Sequence, residues 1–337
     1  MARSRVLIVL LLFVIVASAC ARSSSGAAST SPLTQTSSPP PPPSPSDGPA
    51  VTINLSVPSP GDVVAAFGSV WVQSGTDLWK VSPDGSVLDR FSDVSKGPGI
   101  GYMGWGGGGY RTLAAGYGSV WSLVKGAVLR LDPADGRVLD SIPVPEGLAS
   151  IAAGEGAVWV ACCDSGPALL LRIDPQTDEV SHIDVGVSVA SLAVGAGFVW
   201  VLGIGEAPYL VQVDPSTMRV VGTVATNARG SVAVGADTIW VMDHGSGLDR
   251  IDASSGRIDH TYEVPGTMMG LSAFGDDALV NAGDLLWVSG CSGDVQTLAN
   301  LAKPDVANAG IAVDGTGDHP VVWLTEPSDQ TLVAVQL

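Results

Sequence analysis

A motif of roughly forty residues recurs seven times along this chain and constrains its fold more than any other feature. Each copy pairs a strand of small residues with a strand of the Val-Trp-Val type, and most copies continue into an Asp-Pro or related turn. The copies lie at 64–72, 113–121, 151–160, 192–201, 232–241, 271–280 and 311–324, the last two being degenerate. A repeat of this length with several short strands per unit is typical of a β-propeller. The sequence therefore predicts an all-β, seven-bladed β-propeller with four antiparallel strands per blade.

The ends of the repeat array predict how the ring closes. The second unit gives the strand pattern, with strands a to d predicted at 112–115, 119–123, 127–131 and 137–143. The chain stops after a strand of type c at 331–337, and a lone strand of type d at 51–57 precedes the first repeat. Pairing these two strands completes the last blade and removes an exposed sheet edge. We therefore expect one propeller domain at 51–337, closed by its N-terminal strand.

The N-terminal segment 1–19 has the features of a secretory signal peptide. Arg3 and Arg5 precede an apolar run at 6–17, which is too short to span a bilayer, and small residues follow before Cys20. This arrangement resembles a bacterial lipoprotein signal, which implies cleavage before Cys20 and lipidation of that residue. Ordinary signal cleavage and release as a secreted protein is the alternative. We expect a cell-membrane lipoprotein facing the extracytoplasmic side, anchored to the membrane through its N-terminal lipid.

A stretch rich in Pro and Ser at 20–50 separates this signal from the repeats. Its polar composition cannot bury a core, and the five consecutive prolines at 39–43 favour an extended polyproline II segment. The sequence predicts a disordered stalk that follows the lipidated cysteine.

The charge of the chain excludes one class of partner. The full sequence has 16 basic and 33 acidic residues, and loss of 1–19 leaves a net charge of −19. Such an acidic protein repels the phosphate backbone of nucleic acids. We expect no nucleic-acid partner, and we expect the protein to be a monomer.

The repeat is similar to that of the YVTN and streptogramin-lyase-like group of seven-bladed propellers. Residues 149–186 follow the form IAVGxGxVWVxxxxxxxLxRIDPxTGxVxxxIxVG, and the resemblance covers almost all of 51–337. It implies the propeller fold. It does not select a function, because this fold carries enzymes, sensors and binding modules.

The most regular side chains of the repeat are interpreted as structural. A tryptophan occupies one position of strand b in six copies, where we expect it to fill the space between blades: Trp71, Trp121, Trp159, Trp200, Trp240 and Trp323. A cation recurs on strand c, where a solvated or inter-blade ion pair is expected: Lys80, Arg130, Arg172 and Arg250.

A functional site is sought where the copies differ. Trp71 and Trp121 are 50 residues apart, against 38 to 41 for the next three intervals. The additional residues, 95–111, are rich in Gly and carry Tyr102, Trp105 and Tyr110. They predict either an aromatic flap over the mouth of the central channel or a tolerated surface insertion.

Charged residues near the same face extend this candidate ligand site. Arg111 and Arg229 stand just before a strand a, and the others end or follow a strand b: Asp243, His244 and Glu326. The two guanidinium groups are suited to a ligand carboxylate or phosphate. Pairing of these arginines with Asp243 or Glu326 is the structural alternative, and we prefer it.

The resemblance to streptogramin lyases implies a testable rival function. Those enzymes use histidine and glutamate residues with a magnesium ion on the top face, and Glu326 matches their Trp-Phe-Thr-Glu motif. None of the four histidines precedes a strand a, where Arg111, Leu148, Arg229 and Met269 stand instead. Without a positioned general base, the lyase reaction has no proton acceptor.

Two adjacent cysteines, Cys162 and Cys163, end strand b of the third blade. In an oxidising compartment they can form a vicinal disulfide, with two buried thiols as the alternative. Such a ring also occurs beside the cofactor of quinoprotein dehydrogenases, which are propellers of a different blade number. Cys291 is placed at a c–d turn on the opposite rim.

Taken together, these features predict a non-catalytic, extracytoplasmic module that binds a small molecule, a glycan or a protein at the channel mouth. No cofactor or metal site is predicted. A propeller enzyme of the lyase or quinoprotein type, and a structural envelope protein without a small ligand, are the alternatives.

Overall fold

Seven four-stranded antiparallel sheets make up the described part of the chain, which confirms the predicted fold. The computed structural model describes residues 51–92, 94, 111–147, 150–162, 169–204, 209–228, 230–242, 247–300, 310–315, 320–327 and 329–337. All of them belong to one compact unit, Ser38–Leu337. The side chains of Val51, Thr52, Cys162 and Ile204 lie outside this description.

Each blade takes its strands from consecutive segments, except the last. Blade one contains β2 (Pro60–Ala66), β3 (Ser69–Ser74), β4 (Asp77–Val81) and β5 (Val87–Phe91). Blade two contains β6 (Leu113–Gly116), β7 (Ser119–Val124), β8 (Ala127–Leu131) and β9 (Val138–Pro143). Blade three contains β10 (Ser150–Gly154), β11 (Ala157–Cys162), β12 (Leu169–Ile173) and β13 (Val180–Asp184). Blade four contains β14 (Ser188–Gly195), β15 (Phe198–Ile204), β16 (Tyr209–Asp214) and β17 (Arg219–Ala225).

The remaining blades follow the same order until the chain ends. Blade five contains β18 (Val232–Val234), β19 (Thr238–Met242), β20 (Gly247–Asp252) and β21 (Arg257–Glu263). Blade six contains β22 (Gly270–Phe274), β23 (Asp277–Asn281), β24 (Asp284–Val288) and β25 (Val295–Asn300). Blade seven combines β26 (Ile311–Asp314), β27 (Val321–Glu326) and β28 (Thr331–Gln336) with β1 (Val51–Ser56).

The ring closes as the sequence predicts, with β1 supplying the outer strand of blade seven. β1 pairs antiparallel with β28, and the register runs from Val51 opposite Val335 to Ser56 opposite Thr331. The innermost strand β26 packs against β2 of blade one, so the seventh blade contacts the first. The pairing gives the last blade the same four strands as the others and satisfies the backbone edge of β28.

Tight turns join strands a and b at the end of each inner hairpin. Gly118 and Gly156 adopt φ angles of 72° and 80°, a left-handed conformation that glycine tolerates without steric cost. Phe67 and Tyr117 precede such glycines with φ angles of 53°, and their side chains are exposed. These turns define one face of the ring, which we call the opposite face. The other face, where each strand a begins and each strand b ends, is the mouth face.

The core lies between the blades and is built around the repeated tryptophans. All six are fully buried, which confirms their predicted packing role: Trp71, Trp121, Trp159, Trp200, Trp240 and Trp323. Three indoles donate to the carbonyl of a glycine five residues earlier, as in Trp121 to Gly116 at 3.1 Å. Because strand b is internal to each sheet, its indole can contact neighbouring strands and the next blade together.

The repeated strand-c cations serve the scaffold on the opposite face. Lys80 donates to the carbonyl of Pro133 in blade two at 2.7 Å. Arg130 pairs with Asp178 of blade three, with 3.5 Å between Nη1 and Oδ1. The other two pair within their own blades, Arg172 with Asp174 and Arg250 with Asp259. Three of these four cations therefore form ion pairs, one of them between blades, and Lys80 contacts a backbone carbonyl of the next blade.

No helix in the described ranges is long and apolar enough to cross a membrane.

Candidate functional site

Two of the predicted ligand-site residues, Arg111 and Glu326, lie on the mouth face, where each contacts a different partner. Arg111 lies two residues before β6, and Glu326 is the last residue of β27. The other predicted contacts lie outside the described residues, so their positions stay predictions: Tyr102, Trp105, Tyr110, Arg229, Asp243 and His244.

Arg111 reaches across the central channel. Its backbone carbonyl accepts a hydrogen bond from Ile151 of blade three at 2.9 Å, which fixes the residue at the seam between blades two and three. Its Nη2 donates to the carbonyl of Leu271 at 3.1 Å, on the innermost strand of blade six. Blades two and six are not neighbours in the ring. The guanidinium group therefore lies over the channel rather than in a seam between adjacent blades.

The expected pairing of Arg111 with a carboxylate of the rim does not occur among the described residues. The side chain makes its hydrogen bond to a carbonyl, and the ion pairs found within 4.0 Å in the described segments do not include it. Arg111 and Glu326 therefore do not pair with each other, whereas pairing that involves Arg229 or Asp243 lies outside the described residues and stays a prediction.

Glu326 is buried and is engaged with blade six. Its Oε1 accepts a hydrogen bond from Asn281 Nδ2 at 3.2 Å, across the seam between blades six and seven. Asn281 also accepts from the backbone N–H of Gly283 at 3.2 Å, and its carbonyl accepts from Met269 at 2.7 Å. Glu326 thus holds the ends of two adjacent blades together.

A third carboxylate of the mouth face, Asp62, was not singled out from the sequence. Its Oδ2 accepts from the backbone N–H groups of Thr112 at 2.7 Å and Leu113 at 2.8 Å, both in blade two. Its Oδ1 accepts from Val63 at 2.9 Å. Burial raises the pKa of Asp62 above its ordinary value of 3.8, and the positive charge of Arg111 and the three N–H donors oppose this rise.

Other polar side chains form hydrogen bonds across further seams between blades on the same face. Thr325 donates to the Gly61 carbonyl at 2.6 Å, which joins blade seven to blade one. Ser191 accepts from the N–H of Val232 at 3.3 Å, which joins blade four to blade five. With the contacts of Asp62, Arg111 and Glu326, hydrogen bonds between described residues cross five of the seven seams on the mouth face.

The sequence does carry a signal for these seam contacts. The residue nine positions before the strand-b tryptophan is small and polar in five blades: Asp62, Thr112, Ser150, Ser191 and Ser231. All five are buried. At Asp62 and at Ser191 the side chain accepts the N–H of the corresponding next residue in the following blade. A polar residue recurring at a buried strand position is the feature that identifies them.

The histidines are placed as the sequence predicts wherever the structure describes them. His182 lies on β13 and His260 on β21, which are outer strands. His244 and His319 lie outside the described residues. The described positions that immediately precede an inner strand at the mouth include Arg111 and Met269, as expected. Groups of three or more His, Cys, Asp or Glu side chains able to hold a metal are absent from the described segments.

Cys162 is the last residue of β11, the predicted end of strand b in blade three. Cys163 and the Cys162 side chain lie outside the description, so their vicinal disulfide stays a prediction. Cys291 lies between β24 and β25, at the c–d turn expected for it, and is disulfide-bonded. The chain has four cysteines, so this bond is incompatible with a lipidated Cys20 and a Cys162–Cys163 disulfide both being present.

Comparison with known proteins supports the fold alone. No family model and no curated protein sequence matches the chain. Two similar solved structures are the WD40 domain of Pan2 from Neurospora crassa and BamB from Moraxella catarrhalis. The first has 13% identity and a TM-score of 0.63, and the match covers 86% of this chain and 96% of that one. The second has 11% identity and a TM-score of 0.54, with coverage of 86% and 100%.

The breadth of this similarity limits its meaning. In all, 1312 chains of solved structures match, and so wide a set shares an architecture rather than one activity. The chain is a seven-bladed β-propeller. The resemblance to the YVTN and streptogramin-lyase-like group is not confirmed by these comparisons.

Proposed function

We propose that this protein is a non-catalytic, extracytoplasmic binding or scaffold module of the YVTN-like propeller type. It is anchored to the membrane through lipidated Cys20 and binds its ligand at the mouth of the central channel. The signal-like segment 1–19 and the stalk 20–50 support the anchoring part of this proposal.

The observation that carries the binding role is the set of hydrogen bonds that join neighbouring blades at the rim of the mouth face. Buried side chains join neighbouring blades at the strand ends from which the loops project, as Asp62, Ser191 and Thr325 do. A rigid frame holds loop residues in place before a ligand arrives, which lowers the entropic cost of binding. Loops carried on such a frame are a common location for recognition.

The roles of the rim carboxylates favour binding over acid–base catalysis. Asp62 accepts three backbone hydrogen bonds, and Glu326 accepts from Asn281. Both groups are buried and serve the seams between blades. A general base needs a lone pair within reach of substrate, whereas both oxygens of Asp62 and Oε1 of Glu326 accept hydrogen bonds from the scaffold.

Native mass spectrometry of the full-length, processed chain tests this proposal. The protein is incubated with cell-envelope extract and compared with two single variants, Trp105→Ala in the predicted flap and Tyr117→Ala. Tyr117 is a matched control, because it is an exposed aromatic residue on the opposite face. We expect an added ligand mass in the wild type and in Tyr117→Ala, and its loss in Trp105→Ala.

Equal occupancy in both variants would place the ligand elsewhere, and the absence of any added mass would contradict the binding role. The N-terminal mass of the same protein tests the anchor. Acyl chains on Cys20 are expected, whereas an unmodified N-terminus would show the secreted alternative.

A further inference from the structure

The guanidinium group of Arg111 extends over the channel. The side chain extends from blade two to the Leu271 carbonyl of blade six, at 3.1 Å. Blades two and six are not adjacent, so this contact is not part of a seam between neighbouring blades. Its backbone is held by the hydrogen bond from Ile151. The position of the charge is therefore set by both ends of the residue.

Most of its hydrogen-bonding capacity remains available. A guanidinium group carries five N–H donors, and one of them is used within the described part of the chain. The side chain is partly buried. The guanidinium group is compact, so the donors beside the one that contacts Leu271 lie near the same point of the channel.

Its positive charge is not cancelled by a direct ion pair with a described carboxylate. Asp62 acts on Arg111 through its electrostatic field, yet both carboxylate oxygens of Asp62 accept backbone N–H groups. Glu326 is buried against Asn281. A carbonyl oxygen satisfies one donor and carries no formal charge. A partly buried cation in this state is stabilised further when an anion reaches it.

We infer that the channel mouth is a receptor for a single anionic group, a carboxylate or a phosphate, which binds to Arg111. This inference rests on the proposed function and names the chemistry that the same site recognises. The planar fork of arginine matches both groups, because each presents two oxygens to paired N–H donors. The Leu271 contact holds the fork over the channel, so little side-chain freedom is lost when the anion binds.

Titration of the full-length protein with inorganic phosphate and with acetate, at constant ionic strength set with sodium chloride, tests this inference by calorimetry. Saturable binding of at least one anion is expected. The anion that binds more tightly shows whether a phosphate or a carboxylate is the preferred group. Arg111→Gln should weaken that binding by about tenfold or more, because a hydrogen bond to a charged group is lost. Arg137→Gln is the matched control, since this exposed arginine pairs with Asp132 on the opposite face. Its binding should equal that of the wild type.

Arg111→Lys provides a second variant that keeps the charge and loses the fork, and binding intermediate between wild type and Arg111→Gln is expected. If the Gln variant fails to fold, the Lys variant and the guanidinium NMR signals of the wild type during the titration decide the question. Equal affinity in wild type and Arg111→Lys with unshifted arginine signals, or no saturable binding of either anion, would overturn the inference.

The outcome is separable from that of the proposed function. An envelope ligand that is lost in Trp105→Ala and retained in Arg111→Gln would leave the binding role standing and overturn the anion site. Anion binding without any envelope ligand would support the anion site and contradict the proposed binding role.

Discussion

At the scale of single residues, the mouth face depends on buried polar side chains that form hydrogen bonds across the seams between blades. Asp62 illustrates the principle. A buried carboxylate is costly when isolated, but three backbone N–H groups and the nearby charge of Arg111 compensate for its desolvation in part. The cost that remains appears as a pKa above the ordinary value.

Replacing this carboxyl should destabilise the ring. We expect Asp62→Asn to lower the free energy of unfolding by about 2 kcal/mol, because the amide offers one acceptor oxygen to three buried donors. Asp89→Asn, on the exposed part of β5, should change it little. Urea unfolding at neutral pH measures both variants.

The same substitution predicts a pH dependence of definite sign. The native pKa of Asp62 lies above the unfolded value, so the native state holds the proton more tightly. The contribution of this group to stability therefore decreases as the pH rises from about 3.8 through the native pKa. The stability difference between wild type and Asp62→Asn should be larger near pH 4 than near pH 7. A difference that grew with pH would show that the N–H donors lower the pKa instead.

At the scale of secondary-structure elements, strand b carries the packing of each blade. Its tryptophans are all buried, yet their indole N–H groups differ. Trp200 Nε1 donates to the Gly195 carbonyl at 3.2 Å, whereas Trp71 Nε1 and Trp323 Nε1 have no partner in the described structure. Equivalent positions in the repeat therefore differ in hydrogen bonding while they share the same apolar burial.

This difference predicts unequal costs for the same substitution. Trp200→Phe should destabilise the protein by about 1 kcal/mol more than Trp71→Phe, because it leaves the Gly195 carbonyl without its donor. Both variants lose a similar buried volume, so each is the control for the other. Thermal and urea unfolding of the pair measure the difference, and equal losses of stability would show that the Trp200 hydrogen bond contributes nothing.

At the scale of the whole molecule, closure of the ring depends on one strand from the other end of the chain. β1 pairs with β28 along its length, and Ile53 and Leu55 pack against the core shared by blades seven and one. Without β1, the edge of β28 and this apolar surface would be exposed. The stability of every seam is linked to that pairing because each blade supports its two neighbours.

Deleting 51–57 should consequently lower the melting temperature by roughly 10 °C or more, given that several kilocalories per mole of strand pairing and burial are lost. A control deletion of 22–44, within the predicted stalk, should leave the melting temperature unchanged. Differential scanning calorimetry distinguishes the two. An unchanged transition in the 51–57 deletion would contradict the closure of the ring by β1.

Much of this architecture could be predicted from the sequence, because a repeat states the same local information seven times. Strands β6 to β9 agree with the predicted strands within one residue at each end. The candidate site could be predicted less well. The repeat identifies Arg111 as a rim residue but predicts a carboxylate partner for it, and Asp62 follows only from the polar position that recurs nine residues before the strand-b tryptophan.

The sequence by itself determined the number of blades, the order of strands, the buried tryptophans and the closure by an N-terminal strand. These properties depend on patterns along the chain and on the need to satisfy sheet edges. The tertiary structure decided which side chains meet across the ring. Arg111 and Leu271 are 160 residues apart in the sequence, and Asp62 and its partner Thr112 in blade two are 50 residues apart. The seam contacts of Asp62 leave a signal in the repeat, a polar residue that recurs at a buried position, whereas the contact of Arg111 with Leu271 joins blades that are not adjacent and depends on the geometry of the closed ring.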